Sequence, residues 1–144
     1  MEDILDKLIT KDDLDSLAQE VELLQTHLYK DDFDDVVNNQ VRRPVASLFS
    51  EKTKDEIEKI LNELRMSLEK FVEVSITLAI YPTNTIVWEI YDFLKNNINK
   101  SFVIDFKKEN IIGGCVISVK GEYRDVSLKR HFDALLNDNP QGSS

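Results

Sequence analysis

The chain has one cysteine, Cys115, and two histidines, His27 and His131, among 144 residues. One thiol cannot make an internal disulfide framework, and no Cys or His pair stands at metal-ligand spacing, so a Cys-based zinc site is excluded. A reducing compartment fits. Long hydrophobic runs are missing too. The longest, Leu78 to Tyr81, falls far short of the about 20 apolar residues a membrane-spanning helix needs. Met1-Glu2-Asp3-Ile4 is acidic rather than basic-then-apolar, so no secretory signal is expected. Glycine does not occur before Gly113, and the three prolines are Pro44, Pro82 and Pro140.

Basic clusters are also scarce. The net charge is −9, with 27 acidic against 18 basic side chains. Phosphate-backbone binding is driven by clustered Lys and Arg, so nucleic acid is not an expected partner. The charge is uneven: residues 1–70 carry 18 acidic and 10 basic groups, the remainder 9 and 8. That break predicts an organisational boundary near residue 70. With 42% hydrophobic and 31% charged residues, the length suits one domain or two very small ones.

What is present in the first part is helical periodicity. Leu14, Leu17, Val21, Leu24 and Leu28 recur every three or four residues, one stripe on a helix, with Thr10 placed to cap it. Asp31-Asp32-Phe33-Asp34-Asp35 breaks or restarts the helix. It lacks the glycine and closing glutamate of an EF-hand loop, so it reads as a solvated face. Arg42-Arg43-Pro44 reads as a joint. Thr53 with Glu56 fits a capping box, followed by the stripe Ile57, Ile60, Leu61, Leu64 and Leu68.

Alternation takes over after residue 70. Val72, Val74, Ile76, Leu78 and Ile80 against Glu73, Ser75 and Thr77 predict a half-buried strand that Pro82 ends. Thr83 to Asn99 returns to helical spacing through Ile86, Ile90 and Leu94, and Phe102 to Phe106 alternates again. Gly113-Gly114 reads as a bulge ahead of a strand at Cys115 to Val119, with Tyr123 to Val126 returning antiparallel. Ser127 caps a last helix, Leu128 to Leu136. The expected fold is α+β: a helical segment, residues 1–70, then a small α/β sandwich, residues 71–137, in the order strand, helix, strand, strand, helix. Residues 138–144 are expected to be a disordered tail. Nine aromatics of the second part, among them Tyr81, Trp88, Tyr91, Phe93 and Phe102, are expected to make it the stable scaffold. The first part, poor in aromatics, is expected to have a thin core and to be loosely helical until a partner binds it.

Chemistry is sparse. Gly113-Gly114 runs into a strand, not into the Lys-Ser/Thr and helix of a phosphate loop. Cys115 reads as a small buried hydrophobe, and no carboxylate pair forms an acid/base motif. No catalytic residue, no metal ligand and no cofactor is expected.

Ile111-Ile112-Gly113-Gly114-Cys115-Val116-Ile117-Ser118-Val119, then Gly121 and Asp125-Val126-Ser127-Leu128, resembles the C-terminal signature of the F-type ATP synthase delta subunit family, the oligomycin-sensitivity-conferring proteins. The upstream order of strand, proline-led helix and strand is similar as well. Gly113, Gly114, Asp125 and Ser127 match the family's signature positions. Leu78-Ala79 stands where the family has Ser-Ala, and 70 residues stand where it has a six-helix bundle. The segment is also similar to flagellar and type III secretion stator proteins and, more distantly, to the E subunit of vacuolar-type ATPases.

The resemblance implies a non-catalytic peripheral-stalk connector of an F-type ATP synthase, one that links the catalytic head to the b stalk and resists rotary torque. The implied partners are the N-terminus of the alpha subunit, with Leu14, Leu17, Val21, Leu24 and Leu28 as candidate contacts, and the C-terminus of the b subunit. The implied location is peripheral, without membrane insertion, on the cytoplasmic side of the bacterial inner membrane, or in the matrix or stroma of an organelle. The alternative it leaves is an assembly adaptor of a flagellar or type III secretion ATPase, or an E-like stator component of a vacuolar-type ATPase.

Overall fold

The computed structural model describes residues 2–79, 81–109 and 115–119. Its elements are α1 (Glu2–Asp6), α2 (Lys11–His27), α3 (Phe33–Asn39), α4 (Arg43–Ala46), a 3-10 turn (Ser47–Phe49), α5 (Lys54–Glu69), β1 (Val72–Leu78), α6 (Asn84–Asn97), β2 (Phe102–Lys108) and β3 (Cys115–Val119). The fold class is α+β. Two compact units divide the chain. The first comprises Met1–Leu8 and Asp12–Lys70; the second comprises Ile9–Lys11 and the residues from Phe71 onward.

The helical unit is built on the two leucine-rich stripes. Leu17, Val21 and Leu24 of α2 are buried, and so are Ile57, Leu61, Leu64 and Leu68 of α5. Gln25 donates from Nε2 to Asn62 Oδ1 at 3.2 Å, and the Tyr29 hydroxyl donates to Glu58 Oε2 at 3.0 Å. As the number rises on the first partner it falls on the second, so α2 and α5 run antiparallel. α2 stops at His27, ahead of the aspartate run. Phe33, the one apolar residue in that run, turns inward and carries Lys54 Nζ over its ring at 3.7 Å. Arg42 is extended, and Pro44 stands in the first turn of α4, where its missing N–H costs nothing. Thr53 caps α5 by accepting from Glu56 N–H at 3.2 Å. Phe33, Val36, Val45 and Phe49 join the leucines in burial. The core of this unit is therefore not thin: aliphatic side chains fill most of it, with Phe33 and Phe49 beside them.

The second unit holds a three-stranded sheet in the order β2-β1-β3. β1 pairs with β2 in parallel, Val74 opposite Ile104, and with β3 antiparallel, Ile76 opposite Ile117. A parallel pair needs a crossover, and α6 supplies it. Thr83 caps α6 by accepting from Ile86 N–H at 3.4 Å. Val74, Ile76 and Leu78 on one face of β1 bury with Ile86, Ile90 and Leu94 of α6 and with Phe102 and Ile104 of β2. Period two on the strand and period four on the helix thus meet in one core.

Two features depart from expectation. Tyr81 is 64% exposed and Trp88 54%, so the aromatics do not all serve the core. The stripe Ile86, Ile90, Leu94 explains Trp88, which lies two residues, about 200°, round the helix from Ile86. The second departure is Ile9–Lys11. Thr10 forms a parallel bridge with Ile104, and Ile104 N–H donates to the Ile9 carbonyl at 2.8 Å. A piece of the N-terminal sequence therefore belongs to the sheet, and a cut at 70/71 separates it from β2. The expected turn at 120–122, the returning strand at 123–126, the last helix at 128–136 and the tail lie outside the described residues.

Candidate partner-binding surfaces

The leucine stripe of α2 is not a surface. Leu17 and Leu24 are 0% exposed, Val21 2% and Leu28 3%, and Leu14 is half-buried. α2 needs a partner for this stripe, and the protein's own helical unit encloses it. A side chain with no accessible area has none to offer another chain in this conformation. The four signature residues, Gly113, Gly114, Asp125 and Ser127, lie outside the described residues. So does His131. Cys115 opens β3 opposite Leu78.

The helical unit carries an open groove of about 470 Å³ between α2 and the segment that follows α3. Its lining mixes polar and apolar groups: Ser16, Gln19, Glu20 and Leu23 on α2, and Asn39, Gln40, Val41 and Arg42 across from them. Glu20 fixes one wall. Its buried carboxylate accepts from Arg42 N–H at 2.7 Å, from Nε at 2.8 Å and from an Nη at 2.5 Å. Hydrogen bonding to Glu20 raises the Arg42 pKa, adding to a guanidinium that is charged at physiological pH in any case. The joint after α3 is thereby pinned to α2 across 22 residues of sequence. The sequence pattern offered no hint of this pair, because Glu20 stands beside an apolar stripe among many carboxylates.

His27 ends α2 and sits 3.0 Å from Asp32 Oδ1. The hydrogen bond with His27 holds the Asp32 carboxyl below its usual range, against a smaller opposing effect of desolvation. A depressed carboxylate pKa stabilises the fold above the unfolded-state pKa and loses that contribution as pH falls through the folded one. The melting temperatures of the protein and of Asp32→Asn are therefore expected to differ at neutral pH and to converge on acidification through the carboxylate range. A difference that stays constant down to low pH would contradict this contact. Among the described residues, no group of three or more His, Cys, Asp or Glu could hold a metal ion.

In the second unit the exposed feature is aromatic. Trp88, Tyr91 and Lys95 lie one turn apart along α6. Trp88 meets Tyr91 edge-on at 6.1 Å, Tyr91 meets Phe102 at 5.4 Å, and Lys95 Nζ lies 5.9 Å from the Tyr91 ring. Tyr91 is half-buried and joins the exposed Trp88 to the core. Exposed tryptophan held by a packed neighbour is a common anchor of protein interfaces, where Trp and Tyr carry disproportionate binding energy. No described helix is long and apolar enough to cross a membrane.

Among the described residues, the surface features are one open groove on the helical unit and one exposed tryptophan, held by a packed neighbour, on the sheet unit. The family model described as ATP synthase delta (OSCP) subunit matches residues 5–138, across both units. The chain belongs to that family, whose members are structural components of the peripheral stalk rather than catalytic ones. No curated protein and no solved structure matches the chain.

Proposed function

We propose that this chain is the connector of an F-type ATP synthase stator, joining the catalytic head to the b stalk so that the head does not turn with the central rotor. The observation that carries the reading is the family match through residues 5–138, which spans the helical unit and the sheet unit together. A connector must hold two partners at once, and a chain of two units suits that task. It binds from the cytoplasmic side of the bacterial inner membrane, or from the matrix or stroma in an organelle.

The helical unit takes the N-terminal helix of an alpha subunit, and the sheet unit takes the C-terminal end of the b stalk. With four of the five stripe residues enclosed, the alpha-binding role passes to surface groups of the helical unit, the groove beside Leu23 among them. On the sheet unit, Trp88 is the anchor for the b stalk. It is exposed, so its truncation should leave folding intact and act on binding alone. Trp88→Ala is expected to weaken binding of a peptide from the C-terminal end of the b stalk by about 30-fold or more, in line with about 2 kcal/mol for an interfacial tryptophan. Titrations of a fluorescently labelled peptide with the parent and the variant measure it. Equal affinities would remove Trp88 from the interface.

A further inference from the structure

The bridge between Thr10 and Ile104 lies on the edge of β2 that faces away from β1. Backbone N–H and C=O groups alternate sides along a strand, so Ile104 N–H facing outward puts Phe102, Phe106 and Lys108 on that same edge. The cover is one rung long. Ile9 accepts from Ile104, Thr10 stands opposite it, and at Lys11 the chain already enters α2. Beyond it the edge runs on through Phe106 and Lys108 with no strap residue alongside among the described residues. An edge of sequence Phe102-Val103-Ile104-Asp105-Phe106-Lys107-Lys108 is rich in strand-forming residues, and such an edge is a template for another strand.

We propose that Ile9–Thr10 guards a strand-pairing edge, and that the partner this edge fits is the same edge of a second copy of this chain. The charges select that partner and its register. Two β2 strands related by a two-fold axis run antiparallel and pair each residue with its mirror position. Centred on Phe106, the pairing sets Phe106 opposite Phe106, an outward-facing residue that forms a hydrogen-bonded pair. It sets Asp105 opposite Lys107 twice, as the closely spaced non-hydrogen-bonded pairs where opposite charges act best. Within one copy Lys107 Nζ is 3.8 Å from Asp105 Oδ2, so both groups share one face of the strand, as the pairing requires. The same register sets Lys108 opposite Ile104, the position the strap occupies. The guard therefore blocks the pairing at its most buried rung, while among the described residues no strap residue lies alongside Phe106 to Lys108.

Two variants lift the guard. Deleting residues 1–10 removes it outright. Lys11→Pro keeps the whole chain: a parallel bridge at one residue takes its donor from the residue after it, and proline removes that donor while being tolerated in the first turn of α2. Sedimentation equilibrium gives the mass, and hydrogen exchange at the Ile104 amide reports whether the edge is open. The expected result is a monomeric parent with a protected Ile104 amide, and variants whose mass doubles with rising concentration. Adding Lys107→Glu, which sets a carboxylate opposite Asp105, should return the variants to monomers. Monomeric variants with a fast-exchanging Ile104 amide would overturn the pairing. Variants that stay monomeric with a slow Ile104 amide would overturn the guard, and a dimer indifferent to Lys107→Glu would overturn the register.

Discussion

Leu24→Ala is expected to lower the stability of the helical unit by about 2–5 kcal/mol. Leu24 is wholly enclosed on α2, as Leu61 is on α5, and the hydrogen bonds at Gln25 and Tyr29 hold these two helices side by side. Truncation removes most of a buried side chain and leaves a hole that the antiparallel pair closes only in part. Leu61→Ala should cost a similar amount. A residue reserved for a partner helix behaves in the opposite way, losing affinity while its melt is unchanged. Denaturant melts of the free protein separate the two roles. A change in stability under about 0.5 kcal/mol, the range of an ordinary surface substitution, would return the stripe to the partner-facing side.

The second large effect is expected at Glu20. Its carboxylate takes three hydrogen bonds from Arg42, one of them from the backbone. Glu20→Ala should destabilise the helical unit by about 2–3 kcal/mol, the range for bonds to a charged group whose backbone donor is then left without a partner. The Arg42 guanidinium itself is half in solvent, so its stranded charge adds little. Glu20→Gln keeps one acceptor oxygen and should recover part of the loss. The segment from Asn39 to Arg42 should exchange its amides faster in both variants, because Glu20 is what ties it to α2. Equal exchange there with unchanged melts would mean the wall of the groove stands without the pair.

Both large effects concern side chains whose roles are legible in the sequence to different degrees. Leu24 and Ile76 declare their burial through periods of three to four and of two, and Thr53 and Thr83 declare helix starts by standing just ahead of apolar periodicity. Those signals are local, and the elements follow them closely. The role of the α2 stripe is not local. Periodicity says that a face is apolar and cannot say whether the cover is α5 or another protein; only the second stripe, at Ile57 to Leu68, argues for the former. Trp88 was legible in principle, since it stands off the Ile86–Ile90–Leu94 line, but aromatic content alone assigns it to the core. Ile9–Thr10 was not legible at all. A single parallel rung has no alternation to detect, and its partner Ile104 stands far along the chain. Glu20 gave no signal for the same reason: its partner lies beyond two turns and a helix.

The family match rests on both units, and so does the function proposed for them. The measurement that bears on it most directly is sedimentation velocity of this chain mixed with the catalytic head and with the soluble part of the b stalk. The proposed connector role predicts one ternary species, in which head and stalk co-sediment only when this chain is present. Head and stalk that still sediment apart in its presence, with the chain bound to one or to neither, would contradict it.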